Sequence, residues 1–191
     1  MAQSNMIAAA RRRFGLYLPT RKGKVFCIGY NKTGTTSLAR VLQSYGFRLP
    51  RQKHQELLAT VPAWYHNYRP LERLVRRFQA FQDLPFSQGK TYVVCDALFP
   101  ESRFILSIRD PNSWFDSLVR FDVRRYGWSS VEDANEAFFK DRQHYLKKNY
   151  CYEGLKTLLC RSDGVSASVD WSLLYNREHY IEQYSRRNAE I

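Results

Sequence analysis

At 191 residues the chain can form one domain with a real core, and 44% hydrophobic with 15% aromatic residues excludes a disordered polymer. No apolar stretch approaches the roughly 18 residues of a membrane span, and Cys27, Cys95, Cys151 and Cys160 show no C-x-x-C pairing, so neither a disulfide framework nor a zinc site is indicated. Thirty basic against eighteen acidic residues give a net charge of +12, which suits a polyanionic partner without choosing between an acidic cosubstrate, nucleic acid and an anionic membrane.

The charge is most lopsided at the start. No Asp or Glu precedes Glu56, and Arg11-Arg12-Arg13 with Arg21-Lys22-Gly23-Lys24 make residues 1–24 a basic arm ahead of a domain spanning 25–191. An acid-free, Arg-rich segment fits a solvated charge run or an organelle transit peptide, while Ile7 to Ala10 is too short for a signal-peptide core. A reduced, cytoplasmic setting is the default expectation.

The apolar run at residues 25–30 reads as a strand, with Cys27 a buried small hydrophobe. It enters a turn bounded by Gly29 and Gly34, where the main chain can approach an anion with no Cβ in the way. Thr35, Thr36 and Ser37 then open a helix expected over Thr35 to Tyr45, with Gly46 as its stop. The first N–H groups of such a helix lack intrahelical partners and sit at its positive dipole end, ready for phosphate or sulfate. An ordinary phosphate loop reads G-x-x-x-x-G-K-[ST], but here Thr35 follows Gly34 and the positive charge comes from Lys32 inside the loop.

Residues 47–63 read as irregular, with Pro50 and Pro62 as breakers, and Leu71 to Phe81 carries apolar residues at helical offsets. Thr91 to Cys95 is strand-like by propensity. Phe104-Ile105-Leu106-Ser107-Ile108 suits a buried parallel strand, so Arg109 falls at a carboxyl end, where open α/β sheets bind ligands. Asp110 and Pro111 make an N-cap and N1 pair rather than a metal site. The helix they open is expected to pack Trp114, Leu118 and Phe121 on the sheet, and carries Ser117 two turns in. Residues 130–149 and 172–189 read as helices, the first with a capping box at Ser130 and Asp133. This alternation of strands and helices is an α/β pattern.

Two of these segments carry a resemblance. Gly29-Tyr-Asn-Lys32-Thr33-Gly34-Thr35-Thr36-Ser37-Leu38 resembles the 5′-phosphosulfate loop of sulfotransferases that use 3′-phosphoadenosine 5′-phosphosulfate (PAPS), and Arg103 to Ser117 resembles their 3′-phosphate motif. The resemblance implies a P-loop-like, three-layer α/β/α fold with a short central parallel sheet, and a helix rather than a strand over 88–98. It implies that Lys32, Thr33, Gly34, Thr35, Thr36 and Ser37 hold the phosphosulfate, that Arg109 and Ser117 hold the 3′-phosphate, and that no metal is needed. Sulfuryl transfer to a hydroxyl or amine by in-line displacement, with release of adenosine 3′,5′-bisphosphate, is the implied reaction.

The acceptor's proton needs a base within reach of the attacking oxygen. Asp83-Leu84-Pro85 stands where cytosolic members carry a histidine before Leu-Pro, which makes Asp83 the leading candidate. Glu56 in Lys53-His54-Gln55-Glu56 resembles the lysine–glutamate segment of glycan-acting members and is second; His54 reads as a surface histidine. The basic loop that closes over the 3′-phosphate in cytosolic members has no match, nor do a last strand and helix; Arg161, Arg186 and Arg187 are possible substitutes. Two other readings stay open: a P-loop small-molecule kinase, against which the missing lysine after Gly34 argues, and a non-catalytic nucleotide- or nucleic-acid-binding domain. Tyr65, Tyr68 and Phe78 are better explained as core than as base-stacking platforms, and no nucleic-acid motif appears.

Overall fold

The computed structural model describes residues 23–162 and 167–191. Arg11 to Lys22 of the basic arm, and with them the transit-peptide reading, lie outside the described residues. Strand β1 (Val25–Cys27) leads through the Gly29–Gly34 turn into α1 (Thr35–Ser44). Helix α2 (Gln52–Gln55), a π-helical turn (Glu56–Thr60) and α3 (Val61–Trp64) follow without a break, then α4 (Arg69–Val75) and β2 (Ala80–Gln82). Helix α5 (Thr91–Leu98) leads to β3 (Arg103–Ile105) and to α6 (Pro111–Tyr126). A 3₁₀ turn (Val131–Asp133), α7 (Glu136–Phe139) and α8 (Tyr150–Leu159) precede the antiparallel hairpin β4 (Cys160–Ser162) and β5 (Ala167–Val169). A second 3₁₀ turn (Trp171–Leu173) and α9 (Arg177–Glu190) complete the order.

The parallel sheet runs β2-β1-β3, with Phe26 in register with Phe81 and Phe104. Alternation along β1 sends its side chains to two different layers. Phe26 and Ile28 pack with Phe81 and with Leu71, Leu74 and Val75 of α4 and Cys95 of α5, and the Phe26 ring stacks on Phe81 at 5.2 Å and on Phe104 at 5.5 Å. Val25 and Cys27 face Leu38 and Leu42 of α1 on the opposite side. The chain is therefore an α/β domain with its short sheet between helical layers. A further aromatic core joins α6 to α9 through Trp114, Phe115, Tyr180 and Tyr184.

Several local expectations are corrected. Residues 52–64 are helical, not irregular, because Pro62 falls in the first turn of α3, where an absent N–H is tolerated. The helix expected to reach Phe81 ends at Val75, and Ala80-Phe81-Gln82 instead form β2; apolar offsets could not reveal a strand fixed by pairing with β1, whose Val25 N–H donates to Gln79 O at 2.9 Å. The strands expected over 25–30 and 104–108 are shorter, and residues 130–149 hold a 3₁₀ turn and the brief α7 rather than one helix. The Ser130–Asp133 capping box does form, but on that single turn. The last helix begins at Arg177, capped by Asn176 Oδ1, which accepts from His179 N at 2.9 Å. Residues 91–98 are helical against local strand propensity, as the resemblance implied. Tyr65 is exposed at 64% rather than core, while Tyr68 and Phe78 do pack against the core.

Candidate active site

The two motif segments follow the neighbouring strands β1 and β3, so the sheet fixes their relation. Ile28 N donates to Ile105 O at 2.9 Å, and beyond it Gly29 passes so close to Ser107 that a Cβ would lie 2.2 Å from Ser107 Oγ. Thr33 Oγ1 donates to Tyr30 O at 2.6 Å and pairs with Ser107 Oγ at 2.7 Å, locking the loop to the segment after β3. Gly34 takes the left-handed conformation (φ 93°) before α1, and a Cβ there would meet nothing within 4 Å. Arg109 Nη1 donates to Lys32 O at 3.4 Å, which brings the loop lysine and the motif arginine to one edge.

A cavity of about 770 Å³ opens at this edge. Lys32, Gly34, Thr35, Thr36, Ser117, Glu56 and Asp83 line it. Thr33, Ser37 and Arg109 are not among its lining residues; the Thr33 hydroxyl is engaged within the loop. Lys32 Nζ rests 3.8 Å above the Phe121 ring, a cation–π contact. Burial lowers the Lys32 pKa, Asp122 and Asp83 oppose that shift, and Arg109 adds to it.

The two carboxylates are coupled through one amide. Gln52 Nε2 donates to Glu56 Oε1 at 2.8 Å and to Asp83 Oδ2 at 3.1 Å. Tyr150 OH donates to Glu56 Oε2 at 2.9 Å, and Leu84 N donates to Asp83 Oδ1 at 2.9 Å. Glu56 is only 2% exposed, and burial pushes its pKa up to about 7 despite the hydrogen bonds from Gln52 and Tyr150. Burial raises Asp83 as well, against its bonds from Leu84 and Gln52 and the charge of Lys32. Asp83 is therefore the carboxylate that feels the lysine, and Glu56 the one buried behind it.

Sequence reasoning missed Gln52, Tyr150, Asp122 and Arg125. Ser117, Phe121 and Arg125 recur every four residues on α6, so one helical face carried the signal for the last two positions of that series. Asp122, whose pKa burial lifts to about 6, accepts from Tyr175 OH at 3.0 Å and also lines the cavity. His54 is exposed, as expected.

Helix α9 clasps both motifs from behind. Tyr184 OH accepts from Arg109 N at 2.9 Å and donates to Arg109 O at 3.0 Å, while its ring stacks on Trp114 at 4.3 Å. Trp114 Nε1 in turn donates to Asn31 O at 3.0 Å. Of the three arginines weighed from the sequence, Arg161 pairs with Asp170 at 3.7 Å and Arg186 donates to Gln183 Oε1 at 2.6 Å. Arg187 is the one at the loop: it is buried, lies 4.9 Å over the Tyr30 ring and donates to Gly89 O at 3.2 Å.

With this geometry in hand, comparison with known families is decisive: residues 24–189 match the sulfotransferase domain. The chain belongs to that family. The match runs from the residue before β1 to Ala189 in α9, so both motif segments, Glu56, Asp83 and Tyr184 all lie inside the sulfotransferase domain. Membership assigns sulfuryl transfer as the general activity. No curated protein matches the chain. Among the described residues no helix is long and apolar enough to cross a membrane.

Proposed function

We propose that this sulfotransferase uses PAPS and passes its sulfuryl group to a hydroxyl or amine acceptor by in-line displacement. The observation that carries the reading is the join between Lys32 and Arg109, the two cations required at opposite ends of one nucleotide, held in contact through the Lys32 carbonyl. The donor set fits a phosphosulfate: Lys32, open main chain at Gly34 and the hydroxyls of Thr35 and Thr36 all line one cavity at a helix N-terminus. When bound, PAPS supplies the sulfuryl group and a phosphate leaving group.

The chain's own residues then divide the work. Lys32 and the first N–H groups of α1 stabilise the negative charge that collects on the departing phosphate oxygen, the contribution that is usually largest in such catalysis. Arg109 and Ser117 hold the ribose 3′-phosphate and so select against ATP. Asp83 takes the acceptor's proton, and the Gln52 amide, donating to both carboxylates, ties Asp83 to Glu56. Raising a carboxylate toward neutrality is what general-base work near pH 7 requires.

Calorimetric titration of the full chain with adenosine 3′,5′-bisphosphate, ATP–magnesium and single-stranded DNA tests the assignment. Tight binding of the bisphosphate alone is expected. Preference for ATP–magnesium would instead indicate a kinase, and preference for DNA a nucleic-acid module; either result overturns the proposal.

A further inference from the structure

The buried face of α9 carries one residue that its pattern does not call for. Tyr180, Tyr184 and Arg187 fall on that face at helical spacing, and the two tyrosines fill an aromatic core. Arg187 is 6% exposed, yet none of the ion pairs among the described residues includes it. Its Nη1 finds no hydrogen-bond partner there, and burial lowers its pKa, with Tyr30, Tyr92 and Glu190 opposing. A guanidinium taken out of water without a carboxylate costs stability that a leucine or methionine in the same stripe would not. Such a break in the local pattern is expected where function makes a demand.

The contacts of the guanidinium show what that demand is. Its centre lies 4.9 Å over the ring of Tyr30, a residue of the Gly29–Gly34 loop that lines the cavity and whose carbonyl accepts from Thr33 Oγ1. Its Nε donates to Gly89 O at 3.2 Å and its Nη2 to Phe86 O at 3.5 Å. Those carbonyls belong to the turn that leaves β2 through Asp83, where Ser87 N donates to Asp83 O at 3.1 Å and Gln88 N to Pro85 O at 3.3 Å. Gln55 holds the start of this turn, its Nε2 donating to Gln82 O at 2.7 Å and to Leu84 O at 2.6 Å, and Arg187 holds the end. Pairing between β1 and β2 stops at Cys27 and Gln82, so beyond the sheet a side chain from α9 spans loop and turn. A flat guanidinium can offer a face to a ring and an edge of donors to carbonyls at the same time, which an ammonium cannot.

We propose that Arg187 is a positioning residue that holds the donor loop and the Asp83 turn in one register, so that a nucleotide seated in the loop also steadies the turn. The inference rests on the PAPS reading above. It assigns the buried cation a role through Tyr30 and the Phe86 and Gly89 carbonyls, with no contact of its own to the reacting atoms.

Calorimetry of the full chain with adenosine 3′,5′-bisphosphate comes first; a parent that does not bind would overturn the donor reading and this inference with it. Arg187→Lys keeps the charge but not the fork, and Tyr30→Leu removes the ring that the fork faces. Each should weaken bisphosphate binding about tenfold. Both changes break one contact, so the double variant should also lose about tenfold rather than about 100-fold. Hydrogen exchange adds a readout that loss of packing alone would not move in this way. In the parent, saturating bisphosphate should slow amide exchange over residues 84–92 about tenfold, whereas in Arg187→Lys at equal saturation the slowing should be confined to residues 29–37. Tyr30 is half-buried at the cavity edge, so its variant reports even where Arg187→Lys fails to fold. Parental affinity in either single variant, additive losses in the double variant, or undiminished protection of 84–92 in Arg187→Lys overturns the inference while the donor reading stands.

Discussion

Glu56→Gln removes a charge from a site that is 2% exposed while keeping the shape that Gln52 and Tyr150 bind. Burial lifts the Glu56 pKa from its ordinary 4.5 to about 7. Between those two values the folded protein keeps a proton that the unfolded chain has released, so rising pH works against folding across that window and the full penalty is present above about 7. At about 1.4 kcal/mol per pH unit the penalty is about 3 kcal/mol. The glutamine variant never ionises and escapes it. At pH 8 it should melt about 5–10 °C above the parent, and at pH 4.5 the two should melt together. Thermal melts of both proteins across pH 4.5–8.5 read the difference directly, and contributions from titrating groups that do not interact with Glu56 cancel in the comparison. A gap that is the same at every pH, or one that closes as pH rises, would refute the argument that Glu56 is ionised at a desolvation cost.

Lys32→Ala and Arg109→Ala should each abolish transfer in an assay of bisphosphate release from PAPS; near-normal turnover in either would count against the donor assignment. Tyr184→Phe keeps the stack on Trp114 but removes both bonds to the Arg109 backbone, so preference for adenosine 3′,5′-bisphosphate over adenosine 5′-phosphate should fall about fivefold in calorimetry, for a loss of about 1 kcal/mol. Retention of the parental ratio would show that α9 does not set the arginine. Gly29→Ala would drive a methyl to 2.2 Å from Ser107 Oγ and 2.5 Å from Ser107 O, and should cost about 1–3 kcal/mol by urea unfolding; an unchanged midpoint would mean that the loop and the segment after β3 can part freely.

Local chemistry made part of this protein legible without a structure. Main-chain freedom at Gly29 and Gly34, the lysine between them and the hydroxyls that follow form a contiguous pattern, and α1 and its loop stand where that pattern put them. Asp110 and Pro111 likewise announce the start of α6, and Asp110 Oδ1 accepts from Ser113 N at 2.9 Å to cap it. Other features were settled only by contacts between residues far apart in the chain. Ala80-Phe81-Gln82 is a strand because β1 offers it a pairing edge, and Thr91 to Leu98 is a helix because its packing outweighs β-branched propensity. Asp83 and Glu56 are separated by residues that fold into α3, α4 and β2, and their sharing of the Gln52 amide exists only once those elements close the cavity. The same holds for Tyr184 behind Arg109 and Trp64 against Gly154. Sequence therefore determined the glycine-bounded loop and the start of α1, whose geometry is local, while the tertiary structure decided the raised pKa values of Glu56 and Asp83 and the ring packing around Tyr150, since desolvation and ring packing depend on what the rest of the chain brings alongside.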